Sequence, residues 1–190
     1  MNLYEGDHYG RIIWMQYAGS TAMDHQWYFN EGNKGEINLY GKINYSLSKK
    51  ISLFTDIQYR FIRYDMKGID DDLKDITQGH KFHFFNPKAG LFITLSPNQD
   101  AFLSFSVANR EPSRTDFKEA AGDPLATPRH ETLYDAEAGY SLRSEKYSAG
   151  ANLYAMFYKD QLVPTGELSN TGYSIMTNVE NSYRAGAELS

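Results

Sequence analysis

The sequence predicts an all-β fold, an antiparallel meander of about eight strands. Three observations carry it. Apolar and polar side chains alternate with period two along most of the 190 residues, as strands require because they point successive side chains to opposite faces. No long stretch of helical period competes with that alternation. The connections change between short and long: "SKK" (48–50), "SPNQD" (96–100) and "SEK" (144–146) are short, while 19–34, 65–79, 110–131 and 160–172 are long.

In chain order the strands are expected at 8–18, 35–47, 51–64, 80–95, 101–109, 132–143, 147–159 and 173–190. In the second, Ile37, Leu39, Ile43, Tyr45 and Leu47 share one face against Asn38, Tyr40, Lys42, Asn44 and Ser46. In the fourth, Ala89, Leu91, Ile93 and Leu95 do so, and in the fifth Ala101, Leu103, Phe105 and Val107. The sixth sets Tyr134, Ala136, Ala138, Tyr140 and Leu142 against Asp135, Glu137, Gly139 and Ser141. The seventh lines up Tyr147, Ala149, Ala151, Leu153, Ala155 and Phe157 opposite Ser148, Gly150 and Asn152. The last closes on Tyr183, Ala185, Ala187 and Leu189 opposite Arg184, Gly186 and Glu188.

Composition bounds the function. With 19 basic and 24 acidic residues the net charge is −5, and there is no basic block. Nucleic acid is excluded as an expected partner, because phosphate binding needs clustered Lys and Arg. The absence of cysteine excludes a disulfide framework and cysteine-rich zinc sites. The histidines (8, 25, 80, 83 and 130) lack metal-site spacing, and no cofactor or catalytic motif is visible. "MNLYEGDHYG" has no basic start followed by an apolar stretch, so an export signal, if there was one, has been removed or lies outside this segment.

Alternation alone leaves open whether the apolar face meets a protein core or lipid. A soluble eight-stranded barrel binding a small apolar ligand, lipocalin-like, is one solution and buries Leu39, Ile43, Leu91, Ala151 and Leu153. A transmembrane barrel is the other. Expected strands of ten or more residues exceed the soluble average of about 5–6. Short turns at one end and long loops at the other are a barrel's periplasmic and extracellular ends. Fifteen tyrosines and eleven phenylalanines add to this. Tyr45, Tyr140 and Tyr147 lie near the short turns and Tyr59, Tyr134 and Phe157 toward the long loops, like two interface girdles.

The run "HKFHFFNPKAGLFITLSPNQDAFLSFSVANREPSRTDF" (80–117) closely resembles the barrel of TonB-dependent outer-membrane receptors, the iron-complex receptors of Gram-negative bacteria, Bacteroidetes type. "ETLYDAEAGY" (131–140), "NLYAMFYKDQLV" (152–163) and "TNVENSYRAGAEL" (177–189) follow in the family's order. Such receptors close a barrel of about 22 strands around a plug. No plug is visible, so residues 1–190 are expected to be part of one barrel domain, about eight strands of its later half. The resemblance implies residence in the cell outer membrane and active import rather than bond chemistry. It also implies partnership with the plug and the TonB energy-transducing complex. The cargo it implies is a ferric siderophore or other iron complex, with haem, a vitamin or a glycan as alternatives.

On that reading Leu39, Ile43, Leu91, Ile93, Ala151 and Leu153 face the lipid bilayer, and Asn38, Lys42, Asp56, Arg60, Asp135, Glu137 and Asn152 face the lumen. Arg110 and Arg114, at the base of the longest loop, are candidate contacts for an anionic ligand, or members of an ion-pair network with Glu111. His80, Phe82 and Phe84 are candidate ligand contacts, with packing under the loops the favoured role for the two phenylalanines. The acidic run "GIDDDLKD" (68–75) lacks a calcium-loop pattern and reads as a solvated loop.

Overall fold

In the computed structural model, residues 1–17, 19–121, 123 and 126–190 are described. They form one sheet of eight strands in sequence order, every neighbouring pair antiparallel. The strands are β1 (Asn2–Arg11), β2 (Gln26–Ser46), β3 (Ile51–Ile69), β4 (Gln78–Ser96), β5 (Gln99–Arg110), β6 (Glu131–Arg143), β7 (Ser148–Leu168) and β8 (Ser174–Leu189). One short helix, α1 (Arg114–Glu119), lies between β5 and β6.

The meander and the short turns agree with the sequence expectation; several boundaries do not. The first strand occupies 2–11 rather than 8–18. Residues 12–17, "IIWMQY", do not alternate, and residue 18 lies outside the described residues, as do 122, 124 and 125 of the expected loop 110–131. β2, β3 and β7 reach 21, 19 and 21 residues, converting much of the expected loops 19–34, 65–79 and 160–172 into paired strand. Those extensions ("QWYFNEGNK", "RYDMKGI") carry polar residues on both faces. A strand wet on both sides needs no apolar alternation, because its ladder hydrogen bonds suffice when a neighbour runs alongside.

Register decides the faces. Leu39, Ile43, Leu91, Ile93, Ala151 and Leu153 belong to one face, through pairs such as Ile51↔Ile93, Leu53↔Leu91 and Leu91↔Leu103, continued by Leu103↔Ala138, Ala138↔Leu153 and Leu153↔Ala187. Asn38, Lys42, Asp56, Arg60, Asp135, Glu137 and Asn152 belong to the other, where Asn38 pairs with Arg60 and Lys42 with Asp56.

The apolar face is the exposed one. Leu39 and Ile43 are each 63 % exposed and Leu153 58 %. The buried strand residues Asn30, Ile62, Tyr64, Met66, Phe84, Ser104 and Leu162 all lie on the polar face. A lipocalin-like barrel needs the reverse, so that alternative is not favoured. On the apolar face Tyr134, Phe157 and Tyr183 are consecutive register partners, and Tyr59 pairs with Phe85. Tyr45, Tyr140 and Tyr147 stand exposed toward the short turns. The ten steps from Tyr147 to Phe157 span about 33 Å along a strand and, at a tilt near 45°, a height of about 23 Å, close to the height of a barrel's apolar band.

The polar face is shaped near the short turns by aromatic rings lying over glycines. Phe54 pairs with Gly90, Phe102 with Gly139 and Tyr154 with Gly186. A Cβ at Gly90 would meet the Phe54 ring and stand 2.7 Å from the Leu103 carbonyl oxygen. These positions are glycine because the ring needs the room.

Candidate functional site

The connection from β5 to β6, expected as a long loop, carries the short helix α1. Ser113 caps α1, its hydroxyl accepting from the Asp116 amide at 3.3 Å while the Asp116 carboxylate accepts from the Ser113 amide at 2.7 Å. This reciprocal capping box follows Pro112, in the stretch "PSRTDF". It was legible in the sequence as a Ser with an acidic residue three positions on.

From there the connection crosses the polar face. Glu111 accepts from Lys34 Nζ at 2.8 Å and lies 3.6 Å from Arg60, which itself donates to Glu36 at 2.9 Å. Arg114 Nη2 donates to Asn30 Oδ1 at 2.6 Å and stands 3.5 Å from Asp70. Lys118, 4 % exposed, holds Asp70 at 2.7 Å and Asp71 at 2.9 Å, with the Tyr173 ring centroid 4.1 Å from its ammonium. Farther on, Arg129 donates to Asp160 at 2.6 Å and Asn178 donates to the Arg129 carbonyl.

Lys118 therefore touches both the end of β3 and the β7–β8 turn. Four strand steps separate β3 from β7, about 19 Å along a sheet, yet Asp70 and the Tyr173 ring lie within about 7 Å of each other across one ammonium. The sheet curls toward its polar face at this end, and the described residues of the connection, from Glu111 to Ala121 and at Arg129, lie across the mouth of the concavity.

Beneath α1, Phe117 is 1 % exposed and packs with Tyr64, Met66 and Ile76. Its ring stacks on His80 at 3.8 Å between centroids. Phe82 stacks against Phe84 at 5.5 Å, and His130 approaches Phe84 at 5.4 Å. Of the candidate contacts, His80, Phe82 and Phe84 are thus brought together as packing under the connection. Arg114 is tied to Asn30 and Asp70. Arg110 pairs with Glu131 at 3.0 Å on an exposed rim. His83 lies on the opposite face, its Nδ1 sharing a 2.7 Å hydrogen bond with Tyr59.

The acidic run is corrected: Asp70 is buried rather than solvated. Burial works to raise its carboxyl, and Lys118, Arg114 and Asn30 outweigh this and hold it below the ordinary value. Glu111 is likewise lowered, with Lys34 and Arg60 overcoming burial. Lys118 is raised: burial works to lower it, and Asp70 and Asp71 more than compensate. Deeper on the polar wall, Asp56, Asp135 and Asn152 each bury a side-chain oxygen with no hydrogen-bond partner among the described residues.

No protein-family model matches the chain, and no curated protein matches it. Solved structures do. The ferric-catecholate import receptor Fiu of Escherichia coli K12 superposes over 86 % of this chain at a TM-score of 0.64 and 12 % identity. The copper transporter OprC superposes over 92 % at 0.67 and 12 % identity. The iron transporter FrpB of Neisseria meningitidis does so over 85 % at 0.61 and 14 % identity. The chain spans 26 %, 29 % and 23 % of these proteins' lengths, respectively. Its fold is that of a stretch of a TonB-dependent outer-membrane receptor barrel, as the sequence resemblance led one to expect.

Proposed function

We propose that the chain is part of the barrel of an outer-membrane receptor that imports a scarce ligand actively, gated by a plug and powered through the TonB complex. The observation that carries this reading is the inverted polarity of the sheet. A broad apolar face with aromatics toward both ends stands exposed, while the polar face is covered at its mouth by residues 111–121. In water an apolar face of this extent is an aggregation liability, whereas in a bilayer it is required.

Leu39, Ile43, Leu91, Ile93, Ala151 and Leu153 then meet lipid. Asn38, Lys42, Asp56, Arg60, Asp135, Glu137 and Asn152 line the lumen, where the unsatisfied oxygens of Asp56, Asp135 and Asn152 suit a wall that receives the plug. The cargo is a metal complex, a ferric siderophore first. Neighbours named for ferric catecholate, iron and copper support that class.

The test is uptake of radiolabelled ligand, radioiron in the iron complexes and radiocobalt in cobalamin, by cells that make the full receptor. A panel of ferric catecholate, ferric hydroxamate, haem and cobalamin is offered with and without a functional TonB complex. TonB-dependent uptake of a ferric siderophore is the expected result. TonB-independent entry refutes the mechanism, and TonB-dependent entry of cobalamin alone refutes the cargo.

A further inference from the structure

The apolar face carries an ordered set of charges beyond its aromatic row. Tyr59 and Phe85 are register partners on that row, and two residues farther toward the long loops Phe61 pairs with His83. Two residues farther still, Arg63 pairs with Lys81. These are the first Lys, Arg, Asp or Glu side chains on this face of β3 and β4 beyond the row. On β7 the first one beyond Phe157 is Lys159. All three are basic and exposed. Acidic side chains begin one row farther out than Arg63, where Glu5 and Asp65 flank Asn33.

The arrangement leaves positive charge unmatched. Arg63 and Lys81 stand directly opposite each other, and like charges in that relation destabilise a sheet. Asp65 accepts from Arg63 Nε at 2.6 Å and offsets one of the two charges, leaving one in excess. A guanidinium has five N–H donors, of which a single carboxylate engages at most two. The Lys81 ammonium has no hydrogen bond or ion pair among the described residues, and neither has that of Lys159.

Height fixes what meets these cations. The four residues from Tyr59 to Arg63 rise about 13 Å along the strand and, at a tilt near 45°, about 9 Å above the aromatic row. Aromatic rows mark the edge of the hydrocarbon, and the headgroup layer beyond it is about 5–8 Å thick on each side. The flexible stems of arginine and lysine span the remaining difference.

We propose that Arg63 and Lys81 bind the phosphate of an anionic lipid headgroup in the leaflet at the long-loop end. Arg63 offers a fork for two phosphate oxygens, and Lys81 a point charge opposite it. An anion between them relieves the like-charge pair, and its acyl chains run along the face past Phe61, Tyr59 and Ile57. A zwitterionic lipid brings an ammonium of its own to the same place and gains less. The proposal rests on the assignment of the apolar face to lipid.

A bimane fluorophore on Ile57→Cys reads the lipid at this patch alone. The full-length receptor is reconstituted in phosphatidylcholine bilayers doped with phosphatidylglycerol or with phosphatidylcholine, each carrying a nitroxide quencher near the top of one acyl chain. Wild type is quenched at a concentration of the phosphatidylglycerol about fivefold lower, the preference that one basic side chain near a membrane surface confers. The double variant Arg63→Gln, Lys81→Gln is quenched equally by the two lipids. Lys159→Gln keeps the wild-type preference, because β7 lies four strand steps from β3, about 19 Å away. Equal quenching of wild type by both lipids overturns the proposal and leaves the lipid-facing assignment standing, as does a preference that survives in the double variant. No quenching by either lipid overturns that assignment and the proposal with it.

Discussion

Replacing Phe117 by alanine separates a connection that is part of the wall from one that moves freely above it. Phe117 is 1 % exposed and stacks on His80 at 3.8 Å, with Tyr64 and Phe82 rings at 6.5 and 6.4 Å. Truncating a buried phenylalanine costs about 3–5 kcal/mol. The surrounding cluster cannot collapse into the space, because Tyr64 and His80 belong to neighbouring paired strands. Spent on local opening of 111–121, that energy raises the opening equilibrium about a hundredfold to several thousandfold. The Ala120 and Ala121 amides, which donate to the Asp116 and Lys118 carbonyls of α1 at 3.3 and 3.1 Å, report it by hydrogen exchange. Arg110→Ala is the control. Its ion pair with Glu131 sits on a rim where Arg110 is 62 % exposed, so it is worth at most about 1 kcal/mol, or about fivefold. Equal protection in the two variants would refute the packing of α1 into the mouth.

Acid should release the same connection. The Asp70 and Glu111 carboxyls are held below their ordinary values of 3.8 and 4.5 by cations that outweigh burial. A lowered folded-state pKa gives stability that is complete above the ordinary value and lost as pH falls through the folded one. Protease resistance of 111–121 should therefore hold at neutral pH and fall below about pH 4, and a flat profile down to pH 2 would contradict it. Gly90→Ala should lower the melting midpoint in detergent at a cost of about 1–3 kcal/mol, since Phe54 and the Leu103 carbonyl leave no room. Gly41→Ala, with nothing within 4 Å, should leave the midpoint nearly unchanged. Leu153→Arg should cost about 2–4 kcal/mol in membrane assembly if its face meets lipid, whereas Asn152→Arg should assemble nearly as wild type. Folded yield in outer membranes measures both.

The parts of the sheet that carry the apolar face were legible because the residues advertise a two-sided environment: Ala149, Ala151 and Leu153 against Ser148, Gly150 and Asn152 leave little choice. The strand extensions at 26–34 and 160–168 were not, because both their faces are wet and hydrophobic alternation has nothing to report. The helix was readable from Ser113 and Asp116 once a cap was sought. The Asp70–Lys118 pair was not readable, because its members are 48 residues apart and meet only when the sheet curls. The same holds for Arg114 and Asn30, 84 residues apart, whose contact ties the connection across the mouth. Phe82 and Phe84, on one strand face, stack on each other under the connection.

The segment contains no cysteine, so single substitutions give unambiguous spin-label sites at 148–153 of β7 in the full-length receptor reconstituted in bilayers. Labels at Ala149, Ala151 and Leu153 should collide with lipid-soluble oxygen and be shielded from a water-soluble nickel complex, and labels at Ser148, Gly150 and Asn152 should show the reverse. Accessibility without that two-residue period, or with its phase inverted, would contradict the assignment of the apolar face to lipid.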